Sequence, residues 1–132
     1  MKNHRIRLAG PWESQFIGED GEPVGEVIRC GLPFTLPGPE HGSGVLLTRG
    51  FHGPTGIDDT TTLRIVLEAG KCPDAVRING TDIETCAASL DAEFAFEVTG
   101  RIAEFNQLSV LFRSAECESP PALKTAWLEI QG

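Results

Sequence analysis

Residues 62–80 read TLRIVLEAGKCPDAVRING. Leu63, Ile65 and Leu67 alternate with Arg64, Val66 and Glu68, so the run has one apolar face at a period of two, as a half-buried strand requires. Gly70, Pro73 and Asp74 interrupt it. Val76 and Ile78 then alternate with Arg77 and Asn79. Asn79-Gly80 supplies two residues that tolerate the positive φ of a tight hairpin turn. The order is strand, turn, strand, tight turn, and the alternation returns at residues 94–98 and 108–112.

Working outward, residues 5–9 place Ile6 and Leu8 inward against Arg5 and Arg7, Gly10-Pro11 bends the chain, and residues 12–17 form a second extended piece. Trp12 and Phe16 are expected in the core, with a sugar-stacking surface as the alternative for Trp12. Residues 18–25, GEDGEPVG, form an acidic turn without the ligand spacing of a calcium loop. Two short extended pieces are expected in residues 27–36, where Pro33, Pro37 and Pro39 point to edges or loops. Residues 37–44 are a Gly/Pro loop; Ser43 beside His41 lacks the G-x-S-x-G elbow of a nucleophile. Residues 45–51 are a strand ending near His52, and Asp58, Asp59 and Thr60 read as turn makers.

Further along, residues 82–93 read as a connection. Thr99 is placed to cap a short helical turn over residues 100–105, with Ile102 and Phe105 both directed into the core. Residues 107–113 direct Leu108, Val110 and Phe112 inward, residues 114–122 are a polar connection, and residues 124–130 put Ala126, Leu128 and Ile130 on one face. Trp127 falls on the opposite face with Thr125 and Glu129. It reads either as packing beneath a loop or at a dimer contact, or as a ligand platform.

Many short strands separated by Gly and Pro, in a chain of 132 residues, indicate one all-β domain spanning residues 1–132. A chain of this length can bury a core without disulfide or metal staples. The net charge of −8 argues against nucleic acid and against anionic membranes as partners. The four cysteines show no C-x-x-C or Cys/His spacing, so neither a metal nor another cofactor is expected. With no apolar leader in residues 1–16, the cysteines are expected as reduced thiols in a cytoplasmic protein.

The order of motifs carries a family resemblance: LAGPW at residues 8–12, RGF at 49–51, LRIVLEAG at 63–70, AVRINGTDI at 75–83, FAFEVTGRI at 94–102 and FNQLSVLF at 105–112. Over most of residues 5–130 the chain resembles the N-terminal sugar-binding domain of family 2 glycoside hydrolases, the β-galactosidase and β-glucuronidase group. The resemblance implies a two-sheet antiparallel β-sandwich of jelly-roll, galactose-binding-domain-like topology, and a non-catalytic carbohydrate-binding role. The family's catalytic carboxylates belong to a barrel that this sequence does not contain. Residues 84–89, ETCAAS, replace a stretch that is often Gly-His-rich in the family, and tyrosine is absent.

On this reading, the ligand-binding candidates are Arg49, His52, Arg77, Asn79 and Trp127, since Arg and Asn hydrogen-bond hydroxyls and Trp offers an apolar platform. The structural alternatives are an Arg49 ion pair with Asp58 or Asp59, and a pure turn role for Asn79. A carbohydrate, a second copy of the chain and a separate hydrolase chain are the candidate partners. The competing function is a protein-interaction or structural module without sugar binding. An enzyme in its own right is a third reading, but His4, His41 and His52 show no metal spacing and no nucleophile–base pair.

Overall fold

The alternation of residues 62–69 becomes β5 (Thr62–Ala69), in which Leu63, Ile65 and Leu67 are buried. The computed structural model describes residues 3–18, 20, 22–32, 34, 44–54, 56, 58–69, 73–83, 85–88, 93–113 and 123–131. The remaining strands are β1 (Asn3–Arg7), β2 (Trp12–Ile17), β3 (Pro23–Cys30), β4 (Gly44–His52), β6 (Ala75–Ile78), β7 (Thr81–Asp82), β8 (Thr85–Ala88), β9 (Glu93–Glu97), β10 (Phe105–Arg113) and β11 (Leu123–Gln131).

They form a five-stranded sheet in the order β1-β11-β5-β9-β8 and a six-stranded sheet in the order β3-β2-β4-β10-β6-β7. Every pairing is antiparallel. The expected jelly-roll sandwich is present. β5 and β6 are consecutive in sequence but lie in different sheets, so they are not the two arms of one hairpin.

The inner faces meet as alternation requires, with side chains from both sheets filling the space between them. Leu63, Ile65, Leu67 and Leu128 from one sheet and Leu47, Val76, Ile78, Leu108, Val110 and Phe112 from the other are all buried in one cluster. Trp12 closes this core with its ring fully buried and its Nε1 donating to Leu8 O at 2.9 Å. Phe16 is only half-buried, on β2 beside the edge strand β3.

Three local expectations change. Residues 100–105 form no helical turn: Arg101 N donates to Val98 O in a tight turn and β10 begins at Phe105. Thr99 instead uses its hydroxyl to accept from Leu63 N at 2.9 Å, tying the turn to β5. Residues 82–93 contain β8, which pairs with β9 and extends the five-stranded sheet. The Asn-Gly turn is as expected, with φ of 53° at Asn79 and 84° at Gly80, the left-handed pair that joins β6 to β7. Cys30 is a half-buried free thiol whose pKa burial pushes up. Cys72, Cys117, the side chain of Cys86, His41, Ser43 and the connection 114–122 lie outside the described residues.

Candidate functional site

Register across the six-stranded sheet determines which side chains share its outer face, because directly opposed residues point the same way. Glu13 of β2 stands opposite Thr48 of β4, Thr48 opposite Ser109 of β10, and Ser109 opposite Arg77 of β6. One row further along, Gln107 faces Gly50, and beyond it Phe105 faces His52. A groove of about 380 Å³ runs over this face, lined by Glu13, Gln15, Val27, Thr48, Gln107 and Ser109 among others. Its volume falls within the range of small-ligand sites. Its lining residues carry a carboxylate, two amides and three hydroxyls, groups of the kind that hydrogen-bond an alcohol.

The groove is held in shape from beneath. Asn106 lies between the outward-facing Phe105 and Gln107, points inward and is completely buried. Its Oδ1 accepts from Ala103 N at 2.7 Å and from Asn79 Nδ2 at 3.0 Å, and its Nδ2 donates to Ala103 O at 2.9 Å. Asn79 in turn accepts at Oδ1 from Gln107 N at 2.9 Å and donates its own N–H to Gln107 O at 3.0 Å. The two asparagines therefore fix the start of β10, and with it the two groove-side residues on either side of Asn106.

The five sequence candidates do not converge. Arg77 and His52 lie on the groove face, Arg77 paired with Asp82 at 2.6 Å and His52 edge-on to Phe105 with ring centroids 5.3 Å apart. Asn79 is committed to the turn and to Asn106. Arg49 shares the parity of Val45 and Leu47, so it points toward the sandwich interior rather than outward. It donates to the carbonyls of Ala9 and Gly50, and burial lowers its pKa. The expected link to Asp58 or Asp59 gives way to these carbonyls. Asp58 Oδ1 instead accepts from the Thr60 hydroxyl at 2.6 Å and Thr60 N at 2.8 Å, which hold its carboxyl below the usual range.

Trp127 is on the other side of the molecule, on the outer face of the five-stranded sheet opposite Arg7 and Val66. The Arg5 guanidinium covers its ring at 5.3 Å and donates to Glu129 at 2.9 Å. Burial opposes the Arg5 charge, but the Glu129 hydrogen bond and the charges of Glu93 and Glu129 outweigh it and raise its pKa. A ring occupied in this way is a poorer ligand platform than the sequence position suggests. A second cavity, of about 390 Å³, lies at the end of the sandwich between the Asp58 turn and Thr99-Gly100. Of its two carboxylates, Asp58 and Asp59, Asp58 is engaged in the turn bonds just described. Among the described residues there is no group of three His, Cys, Asp or Glu side chains placed to hold a metal ion.

Sequence reading did not single out Glu13, Gln15, Thr48, Gln107 or Ser109, and it directed Phe105 into the core, whereas the residue is 61% exposed. Their only signal is polar or outward parity on separate strands, and strand order is needed to bring them together.

No protein-family model and no curated protein matches the chain. Solved structures do match it in fold. An FMN-binding β-glucuronidase from Faecalibacterium prausnitzii L2-6 superposes with a TM-score of 0.72 at 17% identity, over 97% of this chain and 22% of that one. A Bifidobacterium dentium β-glucuronidase complexed with coumarin-3-O-glucuronide gives 0.72 at 15% identity, over 98% of this chain and 30% of that one. A glycosyl hydrolase family 2 member from Bacteroides cellulosilyticus gives 0.61 at 12% identity, over 100% of this chain and 21% of that one. The chain thus spans less than a third of each of these proteins. At these identities the likeness concerns the fold, and in fold this chain is the β-sandwich that family 2 glycoside hydrolases contain, as its motif order leads one to expect.

Proposed function

We propose that this domain is a non-catalytic carbohydrate-binding module, free or acting beside a separate hydrolase chain, whose ligand lies in the groove on the outer face of the six-stranded sheet. The observation that carries this reading is the alignment of Glu13, Thr48 and Ser109 across three adjacent strands, flanked by Gln15 and Gln107. Hydroxyl-rich ligands suit such a wall, since each polar tip can both orient the ligand and be satisfied by it. Glu13 is the one carboxylate lining the groove among the described residues, whereas glycoside hydrolysis requires two facing carboxyl groups. Titration of the labelled protein with a panel of mono- and oligosaccharides should move the amide resonances of β2, β4 and β10, and Thr48→Val should weaken the binding. Absence of any shift at millimolar sugar, or shifts confined to the five-stranded sheet, would overturn the assignment.

A second reading has its own observation. β3 is an edge strand that leaves Val24, Val27 and Ile28 between 51% and 55% exposed. An exposed apolar edge is a template for strand addition by another chain. If the domain self-associates through it, sedimentation should show a dimer that Val27→Lys dissolves; a monomer at all concentrations would remove this reading.

A further inference from the structure

Phe105 is the most exposed large apolar side chain among the described residues, at 61%, and it stands on β10 two residues from Gln107, which lines the groove. It belongs to the same outward set of β10 as Gln107 and Ser109, both of which line the groove. Its position is built. A Cβ on Gly50 would come within 2.9 Å of Phe105 Cζ, so the glycine is what lets the ring lie back over β4. The His52 ring packs against it in a T-shaped contact, at 79° between ring planes. Asn106, locked beneath, holds the backbone from which the ring projects.

From Phe105 to Ser109 the strand advances by roughly 14 Å at the usual rise per residue. That is longer than one sugar ring. Among the described side chains of this face, Arg77 is paired with Asp82, and Arg29 stands opposite Glu13 in the β2–β3 register. The net charge of −8 overall disfavours an acidic sugar at this surface.

We propose, resting on the carbohydrate reading above, that Phe105 is the stacking platform of an extended subsite, and that the groove takes a neutral oligosaccharide rather than a monosaccharide or a uronic acid. One ring of the glycan lays its C–H face on Phe105 while its neighbours hydrogen-bond Gln107, Thr48, Ser109 and Glu13.

The full chain is titrated by calorimetry and amide shifts with β-1,4-linked glucose from monosaccharide to tetrasaccharide, and with an oligomer of galacturonic acid. The wild type should bind the tetrasaccharide more tightly than glucose and more tightly than the acidic oligomer. Phe105→Ala should weaken the tetrasaccharide by about five- to ten-fold, while Phe105→Trp should restore or improve it. Because Phe105 is exposed, both variants should unfold with the wild-type transition, which serves as the control for folding. Groove shifts in the wild type together with an unaffected Phe105→Ala would overturn the platform while leaving the carbohydrate reading standing. Preference for the acidic oligomer would overturn the neutral-ligand assignment. Absence of binding to any sugar would overturn both.

Discussion

Asn106→Ala should cost this domain about 3 kcal/mol of stability, measured as a lower midpoint of urea unfolding at unchanged slope. The side chain is completely buried, and its two polar atoms bond Ala103 N, Ala103 O and Asn79 Nδ2. Its loss removes the side-chain partner of Ala103 N and Ala103 O and leaves Asn79 Nδ2 only its longer bond to Arg101 O at 3.4 Å. Leaving a buried donor or acceptor unsatisfied costs about 1–3 kcal/mol per group. Asn106→Asp should be milder than alanine at the acceptor side, since a carboxylate still accepts from Ala103 N and Asn79 Nδ2. It cannot donate to Ala103 O, and a charge is costly at a fully buried site. The alanine variant should also blunt glycan binding, because Phe105 and Gln107 depend on the backbone that Asn106 anchors. A cost below about 0.5 kcal/mol would mean that water replaces the asparagine and that the anchor is not structural.

Trp12→Ala should be at least as damaging, at about 3–5 kcal/mol, a large part of the 5–15 kcal/mol that a domain of this kind has in total. The indole is fully buried at the start of β2 and packs into the common core. Removing it leaves a cavity that the two sheets cannot close without losing their own contacts. It also leaves Leu8 O without the indole N–H. Trp12→Phe separates the two terms, since it keeps most of the volume and removes only the hydrogen bond. The phenylalanine variant should lose about 1–2 kcal/mol. Equal losses in both variants would show that the hydrogen bond, not the packing, dominates.

The neighbouring corner links this core to the groove. Ala9, four residues after Arg5 and three before Trp12, accepts from Arg49 of β4. Arg49 therefore joins the β1–β2 connection to the strand that supplies Thr48. Its charge is set against carbonyl dipoles rather than carboxylates, a role that short-range sequence spacing could not reveal.

Residue alternation by itself determined the inner faces: Leu63, Ile65 and Leu67, Val76 and Ile78, Leu108, Val110 and Phe112, and Ala126 and Leu128 are buried where period two puts them. Asn79-Gly80 likewise determined its own turn, because few residue pairs accept two consecutive positive φ values. Phe105 shows where local spacing fails. Its distance from Ile102 suggests a shared helical face, but residue 105 opens a strand, and the inward placement of its neighbour Asn106 turns it outward. The groove itself was decided only by tertiary structure. Glu13, Thr48 and Ser109 lie far apart in sequence and meet through the register of β2, β4 and β10. Periodicity states which way a side chain points from its strand; it carries no information about which strand lies alongside, and a site that spans strands is made by that adjacency.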